Sequence, residues 1–248
     1  MPSLTPADWG LAVVGALGIG VSKAGFSGMS LLHVVLFATI FGARDSTGVI
    51  LPMLVAADVF AVRAFRQHTQ WLYVRRMLPA TLVGVVFGAL LMGRLDDRLF
   101  EPLIGWIILI LTVLQIVRML RPEAFAHVPH SPAFAWTMGL AAWITTMLAN
   151  AAGPIFTLYA LAVALPKLAL VGTGAWFFFL VNLVKLPFSV ALGLIRADTL
   201  LVNAVLLPAV FLGNVAGRRL THLVPQRLFD GMLLTFAAVA ALRLIGAF

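Results

Sequence analysis

The chain has no cysteine. That excludes disulfides, thiolate metal sites and cysteine nucleophiles. Charge is scarce as well: Asp, Glu, Lys and Arg make up 10% of the 248 residues, against about a quarter in soluble domains. No polar stretch is long enough to fold as a separate soluble domain. GxSxG, HExxH and P-loop motifs are missing, and no acidic pair has metal-ligating spacing. No catalytic residue, metal site or cofactor is therefore expected. No basic stretch precedes the first apolar segment, so a cleaved signal peptide is not expected.

What is present is apolar. Hydrophobic residues make up 62% of the chain and the mean hydropathy is +1.06, which reads as an integral membrane protein. The net charge of +8 sits in short loops, as topology signals rather than a nucleic-acid surface. The predicted fold class is an all-α integral membrane protein. Ten apolar segments are expected at 8–22, 28–42, 47–65, 77–93, 99–119, 133–149, 153–166, 169–191, 199–217 and 227–246. Two of them, 28–42 and 153–166, fall short of the roughly 20 residues a full span needs. They read as halves of broken or re-entrant hairpins, 8–42 and 133–166, or as shortened spans, giving about 8–10 helical segments.

The short segments hold corresponding places in two halves. Leu78-Pro-Ala80, Gly84, Gly88 and Arg98-Leu-Phe-Glu101 recur as Leu207-Pro-Ala209, Gly213, Gly217 and Arg227-Leu-Phe-Asp230, at an offset of 129. Upstream, Thr47-Gly48 matches Thr173-Gly174 at 126. The sequence thus divides into a first repeat at 1–118, a polar linker at 119–132 and a second repeat at 133–248. An odd number of crossings per repeat inverts the second copy. Loops on one side then hold eleven Lys and Arg residues and loops on the other hold five, which makes both termini external. Gly84-Val-Val-Phe-Gly88 and Gly213-Asn-Val-Ala-Gly217 are both GxxxG. Internal helix packing is the preferred reading and a homodimer contact the other.

The breaks before the short helices are the candidate site. Lys23-Ala-Gly-Phe-Ser-Gly-Met-Ser30 leads into one, and Asn150-Ala-Ala-Gly-Pro-Ile-Phe-Thr157 into the other. Exposed N–H groups at such helix starts, aided by the macrodipole, bind anions. Ser27, Gly28, Ser30, Asn150, Gly153 and Thr157 are the expected substrate contacts. Two ordinary surface turns are the competing reading. A third stretch, Val181-Asn-Leu-Val-Lys-Leu-Pro-Phe-Ser189, carries a lysine far inside an apolar run. Helical spacing puts Asn182, Lys185 and Ser189 on one face, and a lysine there needs a partner, water or a ligand. Lys185 is read equally as an anion ligand or as the ion-pair partner of Asp58, whose offset of 126 falls on Val184. Lys23 is read either as a group at the deep hairpin tip, a coupling or ion-pair candidate with Asp58 and His33, or as a snorkelling loop charge, the safer reading. His33 is read first as a hydrogen-bonded packing residue and second as a proton relay. Asn203 and Asn214 are expected to bond between helices. Phe177, Phe178 and Phe179 are expected to make lipid and packing contacts.

Two five-segment halves, each opening with a Gly/Pro-broken hairpin of the Gly25-Phe-Ser-Gly-Met-Ser30 and Asn150-Ala-Ala-Gly-Pro-Ile155 kind, resemble the sulfite exporter TauE/SafE family. Ser30-Leu-Leu-His33 departs from the proline-containing run expected at its position. The resemblance implies bacterial inner-membrane transport of sulfite, organosulfonates such as sulfoacetate, or related small organosulfur anions, usually outward. It also implies that the two broken hairpins form the translocation site. Alternating access of the two repeats is the expected mechanism, with proton or sodium left open as the coupling ion. The second reading is an anion channel, a transporter of another small anion, or a non-transport component of a membrane assembly.

Overall fold

The computed structural model describes the chain apart from residues 1–3, 25, 27–28, 122–130, 224–225 and 248. Among the described residues the fold is all-helical, without strands. Helix α1 is Pro6–Ser22, α2 Met29–Phe41, α3 Ala43–Phe65, α4 Trp71–Met92 and α5 Asp97–Leu120. A single 3₁₀ turn, Arg66–His68, separates α3 from α4. Helix α6 is Pro132–Ala149, α7 Gly153–Ala162, α8 Lys167–Ala191, α9 Ala197–Leu223 and α10 Gln226–Leu244. The ten expected segments are all helices. The linker histidines His127 and His130 lie outside the described residues.

Local chemistry sets the ends. Thr5 caps α1: its hydroxyl accepts from the Asp8 N–H, and the Asp8 carboxylate accepts from the Thr5 N–H, a reciprocal box. Ser131 caps α6 through the Phe134 N–H. Pro132 and Pro154 sit in the first turns of α6 and α7, where a missing N–H costs nothing. Among the described residues, six helices are long and apolar enough to cross a membrane. Helices α2 and α7, with 13 and 10 residues, reach about 20 and 15 Å against a hydrocarbon core of about 30 Å. Large apolar side chains such as Phe87, Ile110 and Leu212 are exposed on the outside, as a lipid-facing surface requires.

The first five helices and the last five interlock. α1 packs on α9 and α4 packs on α6, while α3 meets α8 and α5 meets α10. Glycines bring the first two pairs together. A Cβ added at Gly213 would lie 2.2 Å from the Leu17 carbonyl oxygen, and one at Gly217 would lie 2.9 Å from the Val21 Cα. On the other side, Gly84 abuts Trp143 and Gly88 abuts both Trp143 and Met147. Leu17 and Trp143 differ by 126, as do Val21 and Met147. Both GxxxG motifs are thus spent on packing inside the chain, and their close backbone approach is what the spacing permits.

Candidate functional site

The two breaks meet at one cavity of about 80 Å³. That is room for about five to eight waters or one compact oxyanion, taking about 10–15 Å³ per water. Lys23, Ser30 and His33 come to its wall from the first hairpin. Asn150, Gly153 and Thr157 come from the second, with Thr146 one turn before the second break. Asn182 and Phe178 come from α8. Of the expected contacts, Ser27 and Gly28 lie outside the described residues. Lys185 does not line the cavity.

Asn150 ends α6 in the left-handed conformation, at φ 52°. The Ala151 N–H closes the turn on the Thr145 carbonyl at 2.9 Å. Asparagine tolerates this conformation better than other non-glycine residues. The sharp stop exposes the carbonyl end of α6, where the helix dipole is negative. Lys185 fills that place. Its ammonium donates to the Thr146 carbonyl at 2.7 Å, to the Thr146 hydroxyl at 3.3 Å and to Asn150 Oδ1. Asn150 Nδ2 in turn donates to the Thr47 carbonyl on α3, at 2.8 Å. One side chain therefore ties the end of α6 to both α3 and α8.

Asp58 is fully buried on α3. Its partner is Lys23, at 2.6 Å, with the Lys23 side chain only 10% exposed. Asn182 Nδ2 donates to its other oxygen at 2.7 Å. The Lys23 ammonium also lies 4.8 Å from the Phe178 ring centroid, a cation–π contact worth about 0.5–2 kcal/mol. Two expectations are corrected here. Asp58 pairs with Lys23 and not with Lys185, because α8 turns Asn182 towards Asp58. Lys185, three residues on, points at the end of α6. Lys23 is a largely shielded, paired cation, as its ion-pair reading has it, and not a snorkelling loop charge. A carboxylate in this interior must be neutralised by a neighbour, and Lys23 is placed to do so.

The inward face of α8 is as expected. Asn182, Lys185 and Ser189 are all buried, and none of them faces lipid. The triple phenylalanine makes the packing contacts expected of it, and one member also reaches the cavity. Phe177 is buried and stacks on Phe156 at 5.3 Å, while Phe178 lines the cavity beneath Lys23. Phe178 and Thr146 were missed in the sequence. Each lies four residues before a recognised polar residue, Asn182 and Asn150, and so on the same helix face. Asn203 is 3% exposed and neither end of its amide has a partner. The expected interhelical bond is not made there. The Asn203 side chain is not part of the cavity wall.

His33 is 1% exposed and lines the cavity. Neither ring nitrogen makes a hydrogen bond. The Met29 carbonyl, one turn back on α2, acts on the ring electrostatically but lies outside hydrogen-bonding geometry. The ring is packed inside the protein, but neither nitrogen makes the hydrogen bond expected of it. No group of three or more metal-ligating side chains forms among the described residues.

Apolar outer faces and, among the described residues, six membrane-length helices define a multi-pass membrane protein. The family model for the sulfite exporter TauE/SafE matches residues 11–244, and the chain belongs to that family of membrane transporters for sulfite and sulfonates. Neither the curated proteins nor the solved structures gave a match.

Proposed function

We propose that this protein exports sulfite, organosulfonates or related small organosulfur anions by alternating access. Two inverted five-helix repeats, 1–118 and 133–248, rock around the cavity between the two broken hairpins. The linker 119–132 joins them. The observation that carries this reading is the cavity itself. It is small, walled by both breaks, and sets a few polar side chains and the Lys23 ammonium in a mostly apolar lining. A sulfite or sulfonate is compact and rich in acceptor oxygens, which suits ammonium, amide and imidazole donors. The paired glycine crossings support the repeat reading. Leu17 and Trp143, and Val21 and Met147, take equivalent parts in them.

The orientation places both termini outside a bacterial inner membrane. Removing Lys23 from the loop charges leaves ten Lys and Arg residues against five, so the bias that sets orientation survives. The sequence carries no nucleotide-binding motif, so export draws on a gradient of proton, sodium or substrate, or on a partner chain.

Proteoliposome flux of labelled sulfite and sulfoacetate, with and without a proton gradient, tests the reading. Saturable flux that is accelerated by substrate on the far side is expected. Flux that never saturates and shows no counter-transport would make the protein a channel. No flux of either anion would overturn the substrate class.

A further inference from the structure

The cavity wall has several polar groups, but most of their donors are already used by the protein. Asn150 Nδ2 donates to Thr47, Asn182 Nδ2 to Asp58 and Thr157 Oγ1 to the Gly153 carbonyl at 2.8 Å. Ser22 Oγ donates to the Ile19 carbonyl at 2.7 Å. Lys185, outside the wall, directs its ammonium to three oxygens of α6 and its cap. His33 is different. It is buried, it faces the same cavity, and both ring nitrogens are without a hydrogen bond. Leaving a buried polar group unmatched costs about 1–3 kcal/mol, and native proteins keep few such groups. Packing does not repay that cost, because an apolar side chain of similar size would fill the space without it.

We propose that His33 contacts the transported anion directly: its imidazole donates an N–H to a substrate oxygen while the Lys23 ammonium supplies the charge. This rests on the reading of the cavity as the anion site. It places the guest against the first hairpin, between α1 and α2, and gives the second hairpin the supporting role. The site then favours a small oxyanion with two oxygens free to be held at once, one by the ammonium and one by the imidazole. A carboxylate, sulfite or sulfonate satisfies this; a halide does not.

The measurement is the melting temperature and anion affinity of purified protein in nanodiscs, with sulfite, sulfoacetate and chloride as probes. Wild type is expected to gain thermal stability from sulfite or sulfoacetate and not from chloride. His33→Leu is expected to melt at or above the wild-type temperature without ligand, and to bind the oxyanion at least about tenfold more weakly, the scale of one hydrogen bond to a charged group. His33→Gln, which keeps an N–H donor, is expected to recover part of that affinity. A His33→Leu protein that melts lower and binds as wild type would make the ring a packing residue and overturn the proposal. So would a folded His33→Gln protein that binds no better than His33→Leu. If wild type responds to neither oxyanion, the functional reading itself fails, a pattern distinct from a response that survives loss of the ring.

Discussion

The two broken hairpins occupy matching places in the chain yet do different work. The first brings ionisable groups to the cavity: Lys23, held by Asp58, and His33 with no partner. The second brings neutral groups, Asn150, Gly153 and Thr157, and Asn150 and Thr157 already hydrogen-bond within the protein. Even its cation, Lys185, is borrowed from α8 and spent on closing α6. Similar backbone breaks have thus been furnished with different chemistry. The glycine crossings, by contrast, use equivalent positions on both sides. Packing that holds helices together tolerates little variation, whereas side chains facing a cavity are free to specialise.

The largest expected effect comes from separating the two lysines. Asp58→Leu leaves Lys23 largely shielded without its carboxylate, and losing one member of a buried pair costs about 3–5 kcal/mol. Adding Lys23→Met to Asp58→Leu is expected to return most of that stability. Lys185→Met strands only neutral acceptors, at about 1–3 kcal/mol. Chemical denaturation of the three proteins checks the order. Equal losses from Asp58→Leu and Lys185→Met would erase the contrast between the charged and neutral sides.

The glycine crossings give the next largest effect. At Gly213 the clash is with backbone, 2.2 Å from the Leu17 oxygen, while at Gly88 it is with the Met147 and Trp143 side chains, starting at 2.7 Å. Overpacking costs about 1–3 kcal/mol. Gly213→Ala is expected near or above the top of that range and Gly88→Ala near the bottom, because side chains can move where a helix backbone cannot. Thermal unfolding in one detergent decides between them, and the reverse order would break the account.

Asn150 allows a finer separation. Asn150→Gly keeps the left-handed stop but deletes the amide that joins Lys185 to Thr47. Asn150→Ala loses both. The alanine protein is expected to be less stable than the glycine protein by about 1 kcal/mol, the cost of a non-glycine residue at positive φ. Equal melting temperatures would mean that the amide alone matters.

Much of the architecture was legible because bilayer physics is legible. Long apolar runs, short ones and the recurrence of Leu-Pro-Ala and GxxxG predicted ten helices, and ten are found. The face carrying Asn182, Lys185 and Ser189 was also readable, since a helix places every third and fourth residue together. The pairing of charges was not readable. An offset of 126 set Asp58 beside Lys185, but Lys23 reaches Asp58 from a break whose path no periodicity describes. The place of Phe178 at the cavity was missed for a related reason: three consecutive phenylalanines look alike until the helix is rotated into place.

The sequence by itself determined the class, the helices, the symmetry of their spacing and the family, because apolar length and glycine interval are local quantities. Only the tertiary structure decided which lysine neutralises Asp58, which one closes α6, and that His33 is left facing the cavity without a partner. Those outcomes depend on helix rotation and approach to within hydrogen-bonding distance, and ångström-scale geometry between distant segments is not encoded in any single stretch of chain.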